Sequence, residues 1–281
     1  MIRMETVDLY ELYPQPERGP GGQLTVYALS PIPKVDPNRR FPAVLILPGS
    51  AYSWVSSREA EPVAMRFVAR GFSCFVLNYS CAPCRFPVAL REAALAMRYI
   101  RDCADELHID SRHVAALGFS AGGHLCGTLG TLFDAQEVSD IAAPPVIRPD
   151  ALILCYPVSV SQGRTHRDSF VNLCGDDAEL MDRLSLDRLI RHDMMPVFLW
   201  HTRTDGSVPV DGTIRLAAAL VEKDVPFALH VFANGRHGLA TGDDLVYRRD
   251  DLPPVSDGVR DWPELAIRFL WEQGFHIQDG E

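Results

Sequence analysis

A serine at position 120 stands in a setting that could make its hydroxyl reactive. It lies within G-x-S-x-G at 118–122, directly after the apolar, strand-length run 113–117 and before 123–129, which can continue as a helix. A serine at a strand-to-helix corner is lifted clear of its sheet. The residues two before and two after it must be small because the backbone turns too tightly there for side chains. The pattern therefore predicts a nucleophilic serine.

A serine hydroxyl needs a base to take its proton, and the base needs an acid to orient it. Where a serine occupies this kind of corner, the chain order is serine, acid, histidine. Asp205 comes directly after the strand-like run 196–200, and His237 comes directly after the run 226–232. Because catalytic groups of open α/β sheets collect at the carboxyl ends of strands, we expect Ser120, Asp205 and His237 to meet at that end of the sheet.

Other side chains compete for both roles. Among the acids, Asp176 and Asp177 follow no strand, and Asp211 is placed to start a helix. Asp243 and Asp244 come after His237, which is the wrong order. Among the histidines, His201 precedes the acid and His230 lies inside an alternating strand. His166 lies in a polar loop, and His124 lies in the first turn after the serine. The loop histidine, His166, is also a candidate substrate contact.

An oxyanion that develops during attack needs backbone N–H donors. One expected donor is the amide of Ala121, directly after the serine. The others should come from the turn P-G-S-A-Y at 48–52, which follows the apolar run 42–47. We expect Ser50 and Ala51 to donate through their amides, although an ordinary proline-glycine turn is the simpler interpretation.

Strand-like and helix-like segments alternate along the chain. The predicted strands are 23–29, 42–47, 72–77, 113–117, 151–155, 196–200 and 226–232, and the predicted helices outside the serine corner are 59–70, 87–107, 178–191, 210–222 and 262–273. Strands joined by helices of this length imply right-handed crossovers and a mainly parallel sheet flanked by helices. We expect one α/β domain over 1–281, with segments 134–149 and 159–193 as candidate lids.

Composition limits the partners. The net charge of −10 argues against a polyanion partner such as nucleic acid, since phosphate binding needs clustered lysine and arginine. No apolar run reaches membrane-spanning length, and residues 1–8 lack the apolar core of a signal peptide. Seven cysteines suit a reducing compartment, so the predicted location is the cytoplasm. Cys81 and Cys84 spell C-x-x-C in a proline-containing turn rather than at a helix start, which argues against a redox pair. We find no metal or cofactor motif.

In combination, these motifs resemble α/β-hydrolases of the esterase and lipase type, close to bacterial acetyl-xylan-esterase-like proteins. The matching segments run from about residue 40 to the last helix: LPGSAYSW at 47–54, REAEPVA at 58–64, VLNY at 76–79, RFP at 85–87, GFSAGGHL at 118–125, ALILCYP at 151–157, FLWHT at 198–202 and WPEL at 262–265. The resemblance implies hydrolysis of short acyl esters, often on sugars, by Ser120, Asp205 and His237. The chain departs from the family pattern where Ser50 and Ala51 replace glycines of the oxyanion turn. It departs again where Thr204 replaces the first of two aspartates.

The resulting prediction is a cytoplasmic serine carboxylesterase for short acyl groups, acetyl in particular, with carbohydrate esters as candidate substrates. Tyr52 and Trp54 are candidate contacts on the alcohol side, because aromatic faces suit sugars. The alternatives are a small peptidase or amidase on the same fold, and a non-catalytic ligand binder, which the altered oxyanion turn motivates. The expected partner is a small-molecule ester, with no nucleic acid, membrane or cofactor, and a homo-oligomer is left open.

Overall fold

The computed structural model describes residues 2–248, 250, 254–256 and 258–280. Its centre is an eight-stranded sheet in the order β1-β2-β4-β3-β5-β6-β7-β8. The strands are β1 Ile2–Asp8, β2 Gln23–Leu29, β3 Phe41–Leu47, β4 Ser73–Asn78, β5 Ile109–Phe119, β6 Ala151–Cys155, β7 Val197–Thr202 and β8 Phe227–Phe232. β2 pairs antiparallel with both β1 and β4 at one side of the sheet. The six strands β4, β3, β5, β6, β7 and β8, neighbours in that order, are parallel. This is the architecture of an α/β-hydrolase.

The described residues also form ten α-helices, nine between strands and one after the last strand. They are α1 Leu9–Leu12, α2 Glu61–Val68, α3 Val88–Asp102, α4 Ser120–Leu132, α5 Pro144–Ile147, α6 Arg167–Cys174, α7 Ala178–Arg183, α8 Leu186–Leu189, α9 Asp211–Glu222 and α10 Trp262–Glu272. α3, α4 and α9 bury apolar side chains against one face of the sheet, and α2 and α10 cover the other. β3 and β6 are therefore buried along their whole length, which explains why their sequences are continuously apolar.

Most predicted elements correspond to elements of the structure, although the short helices α1 and α5 were not predicted, β5 begins four residues before the predicted strand, and α3 ends five residues before the predicted helix. Three further differences concern whole elements. β1 was not predicted, because its residues are mostly exposed and its apolar side chains follow no buried face. The predicted helix 178–191 is two short helices, α7 and α8, separated near Ser185. A third helix, α6, precedes them in the segment that we expected to be a loop.

The two candidate lid segments lie in different places. Segment 134–149 packs against α3, where Arg91 pairs with Asp140 at 2.7 Å and Arg101 donates to the carbonyl of Val146 at 2.9 Å. It follows α4 rather than a strand end, so it starts away from the serine corner and lines no part of the cavity described below. Segment 159–193 does contribute to that cavity, through His166. Within the described stretches we find no helix with the length and apolar character to span a bilayer.

Candidate active site

The serine corner forms where β5 meets α4. Ser120 has φ +52°, a left-handed conformation that ordinary side chains rarely adopt. A Cβ on Gly118 would stand 2.1 Å from the carbonyl oxygen of Gly122, and one on Gly122 would stand 2.1 Å from that of Leu47. Both glycines are thus required by close backbone approach, as the sequence pattern predicted.

The structure brings Ser120, Asp205 and His237 together. The Ser120 Oγ lies 2.8 Å from Nε2 of His237, and Nδ1 of His237 lies 2.6 Å from Oδ2 of Asp205. A carboxylate only accepts hydrogen bonds, so Nδ1 carries the proton and Nε2 is left to accept from the serine hydroxyl. The arrangement is a continuous hydrogen-bonded chain from a hydroxyl to a buried carboxylate.

Asp205 is held ionised by its surroundings. Its side chain is 1% exposed, and its Oδ1 accepts from the amides of Ser207 and Val208 at 2.9 Å each. Burial favours the neutral acid, but hydrogen bonds from His201 and His237 more than offset this and keep the pKa of Asp205 well below its usual range. A permanently charged carboxylate is what the His237 ring needs in order to keep one tautomer.

His201 supports the acid and is not a second base. Its Nε2 donates to the carbonyl of Val208 at 2.9 Å and lies 3.4 Å from Oδ2 of Asp205. Its Nδ1 accepts from the Thr213 hydroxyl at 2.7 Å, so both ring nitrogens of this fully buried side chain are occupied. In the sequence, His201 was a weaker candidate for the catalytic base because it precedes the acid. The structure shows that it contacts Asp205, which chain order does not reveal.

The other candidate residues have contacts elsewhere. Asp177 caps α7, Asp211 pairs with Arg164 at the start of α9, and Asp243 pairs with Arg66. The ring of His230 packs beside Phe198 in the sheet. None of these groups contacts Ser120.

The oxyanion turn is strained at residues that are not glycine. Ser50, Ala51 and Tyr52 have φ values of +116°, +57° and +56°. The amides of Ser50 and Ala51 donate to no acceptor among the described residues, and both residues line the cavity beside Ser120. The turn thus brings two residues whose amides have no acceptor among the described residues to the cavity that Ser120 also lines.

A buried glutamate that sequence reasoning missed holds this turn. Oε2 of Glu59 accepts from the amide of Gly49 at 2.8 Å, and its Oε1 accepts from the Tyr156 hydroxyl at 2.7 Å. The same hydroxyl accepts from the amide of Ala240, three residues after His237, at 3.0 Å. Burial raises the pKa of Glu59, and these hydrogen bonds oppose the rise. One network thus links the oxyanion turn with the histidine loop.

Tyr52 lies outside the cavity, which corrects its expected role as a substrate contact. Its side chain is buried, and its hydroxyl donates to Nδ1 of His124 at 2.8 Å. Nε2 of His124 donates to the carbonyl of Leu184 at 2.8 Å, and burial lowers the pKa of His124 to about 4. An aromatic side chain in a left-handed turn points back into the protein here, so Tyr52 anchors the turn to α4.

Two loops of the site are joined by Thr204, the residue that departs from the family pattern. Its Oγ1 donates to the carbonyl of Gly235 at 3.0 Å and accepts from the amide of the same residue at 2.9 Å. Gly235 lies two residues before His237. The hydroxyl thus connects the loop that carries the acid to the loop that carries the histidine.

Ser120 opens into a cavity of about 260 Å³. Its lining residues are Ser50, Ala51, Trp54, Ser56, Arg58, Glu59, Ser120, His166, Ser207, His237 and Gly238. Trp54, 65% exposed, and His166 are at this cavity, as expected from the sequence. Ala121 is fully buried directly behind the serine. The volume suits a small acyl group and part of its alcohol.

The sequence is similar to a known family and to curated proteins. A family model described as BD-FAE matches residues 32–220. Endo-1,4-beta-xylanase B of Butyrivibrio fibrisolvens is 37% identical over 216 residues, which cover 73% of the chain and 33% of that protein. An acetylxylan esterase of Xylanibacter ruminicola is 27% identical over 80% of the chain and 47% of its own length. The chain thus spans half or less of these two curated relatives.

Solved structures match the whole chain. The acetyl ester-xyloside bifunctional hydrolase from Caldicellulosiruptor lactoaceticus is 34% identical with a TM-score of 0.83, and the match covers 97% of both chains. A carboxylesterase from Lactobacillus plantarum is 28% identical with a TM-score of 0.84 over 100% of both chains. The whole described architecture therefore has close counterparts among solved structures.

Proposed function

We propose that this chain, which belongs to the BD-FAE family of α/β-hydrolases, is a serine carboxylesterase for short-chain acyl esters, acetyl esters above all. The observation that carries the proposal is the hydrogen-bonded chain from Ser120 through His237 to Asp205, which opens into a small cavity. The names of the curated relatives and solved structures support the same reaction class.

In the proposed reaction, Ser120 Oγ attacks the ester carbonyl while Nε2 of His237 takes its proton. The Asp205 carboxylate stabilises the imidazolium through Nδ1. His237 then returns the proton to the leaving alcohol, and an acyl-enzyme forms on Ser120. A water molecule, activated by the same imidazole, releases the acid and restores the serine.

The negative charge of each tetrahedral intermediate falls on the former carbonyl oxygen. We assign its stabilisation to the amides of Ser50, Ala51 and Ala121. The unpaired amides of the first two, and the position of the third directly after the nucleophile, support this assignment.

Acetylated carbohydrate is the substrate class that we favour. An acetylxylan esterase and an acetyl ester-xyloside hydrolase are among the relatives. Trp54 at the cavity offers an exposed aromatic face for a sugar ring, and His166 offers a polar contact. A cytoplasmic location stays a prediction, and the oligomeric state stays open.

The test is labelling with a fluorophosphonate probe together with hydrolysis of p-nitrophenyl acetate. Wild type should be labelled and active, and Ser120→Ala should lose labelling and at least about 10³-fold in kcat. Ser139→Ala, an exposed surface serine, is the matched control and should behave as wild type. Absence of labelling in wild type would favour the non-catalytic binder, and faster cleavage of peptide amides than of acetyl esters would favour the peptidase.

A further inference from the structure

One exposed cation lines the cavity beside the reactive groups. Arg58 is exposed, and its guanidinium carbon lies 5.1 Å from the centre of the Tyr247 ring. Arg236 approaches the same ring at 4.8 Å but is not part of the cavity lining. Among the described residues, neither guanidinium forms an ion pair with a carboxylate.

The acidic groups near Arg58 do not cancel its charge by pairing with it. Glu59 is buried and uses its two oxygens for Gly49 and Tyr156. Asp205 is also buried and faces His237 and backbone amides. Among the described residues that line this cavity, the exposed charged side chain is therefore positive, although the net charge of the chain is −10.

The guanidinium lies on the histidine side of the site. Its Nη2 is 3.6 Å from the position that a Cβ of Gly238 would occupy, and Gly238 directly follows His237. Because His237 must hand its proton to the leaving alcohol, the alcohol part of an ester stands on this side. Groups carried by the alcohol are thus within the reach of Arg58.

We propose that Arg58 is a specificity-determining residue that binds a carboxylate on the alcohol part of the ester. The substrate class is then an acetyl ester of an acidic carbohydrate, such as an oligosaccharide that bears a uronic acid. A guanidinium suits this role because it offers a planar pair of N–H donors to a carboxylate. This inference rests on the proposed esterase function.

The experiment compares kcat/KM for 4-acetoxybenzoate with that for its neutral counterpart 4-acetoxybenzamide. Arg58→Gln should lower the acid-to-neutral ratio about five- to tenfold, mainly through KM, because a binding contact is removed. Arg58→Lys should keep part of the preference. Arg236→Gln is the matched control and should leave the ratio unchanged, since that residue contacts the same ring from outside the cavity.

A second arm uses the monophenyl ester of succinic acid against phenyl butyrate, which moves the carboxylate to the acyl side. The ratio for this pair should not depend on Arg58, and a loss confined to this pair would overturn the assignment. Raising the ionic strength should weaken the wild-type preference for the acidic alcohol, a readout that needs no folded variant. Good turnover of neutral esters with an unchanged ratio in Arg58→Gln would reject this inference alone. An inactive, unlabelled wild type would reject the esterase as well.

Discussion

At the scale of single residues, the site stores backbone strain where the proposed chemistry takes place. Ser120 and Ala51 both have left-handed φ values, +52° and +57°, without being glycine. Such conformations persist only where surrounding contacts hold them. The carbonyl of Ala51 accepts from Asn172 at 2.9 Å, and close glycine packing holds Ser120 in place. Together with Ser50, whose φ is +116°, these residues place backbone strain at the proposed nucleophile and at both proposed oxyanion donors of the turn.

Ala51→Gly should stabilise the protein by about 0.5–1 kcal/mol. The left-handed conformation costs an alanine roughly 1–2 kcal/mol, and the greater freedom of glycine in the unfolded chain offsets only part of that gain. The control is Ala69→Gly at the C-cap of α2, where φ is an ordinary −62°, and the greater freedom of glycine in the unfolded chain should destabilise the protein by about 0.4–1 kcal/mol. Urea unfolding of both variants measures the difference, and equal destabilisation by the two would show that Ala51 carries no strain.

The residues that were predicted from the sequence share one feature. Ser120, Asp205 and His237 each follow an apolar run that had to be a strand, and strand ends fix where a side chain emerges. Tyr52 and Glu59 do not directly follow a strand end, so no strand fixes where their side chains emerge. The orientation of Tyr52 depends on a left-handed turn, and Glu59 sits in a charged stretch typical of a surface, so neither placement could be predicted from residue type and spacing.

At the scale of elements, the loops of the site are held by side chains from other loops. Glu59 lies in a short 3₁₀ turn, Tyr156 directly follows β6, and Ala240 belongs to the loop after β8. Their hydrogen bonds join three chain segments that are far apart in sequence. We therefore regard Glu59 as a positioning residue for the oxyanion turn.

Glu59→Ala should lower kcat for p-nitrophenyl acetate about 10²-fold, because the amide of Gly49 and the Tyr156 hydroxyl lose a buried acceptor and release the turn. Glu59→Gln keeps an amide oxygen for Gly49 and should stay within about tenfold of wild type. Its pH–rate profile should match that of wild type, since positioning needs no proton transfer. An equal loss in both variants, or a shifted profile in Glu59→Gln, would instead mean that the carboxylate charge takes part in the reaction. Circular dichroism checks that both variants fold.

Element prediction failed where tertiary contacts outweigh local pattern. β1 is an edge strand whose pairing with β2, rather than burial, defines it. Segment 134–149 was expected near the site, but Arg91 and Arg101 of α3 hold it on the helix side of the sheet. The central strands were predictable because burial on both faces leaves a continuous apolar run.

At the scale of the whole molecule, the C-terminal helix takes part in building the site. The matched family region ends at residue 220, before both His237 and α10. Trp262 of α10 stacks on Trp200 of β7, with ring centres 5.4 Å apart, and its Nε1 donates to the carbonyl of Ala240 at 2.8 Å. The helix therefore fixes the loop that carries the histidine while it closes one face of the core.

Trp262→Ala should destabilise the protein by about 3–5 kcal/mol, because it empties a fully buried aromatic position and leaves the Ala240 carbonyl without its donor. Trp271→Ala on the same helix is the matched control. That side chain is only partly buried and contacts Arg70 over its ring at 5.0 Å, so its loss should cost about 1 kcal/mol. Urea unfolding measures both.

Because Trp262 holds the histidine loop, we also expect kcat for p-nitrophenyl acetate to fall in Trp262→Ala and not in Trp271→Ala under conditions where both remain folded. A Trp262→Ala protein with wild-type kcat would mean that the loop keeps its position without α10, and that the helix serves the core alone.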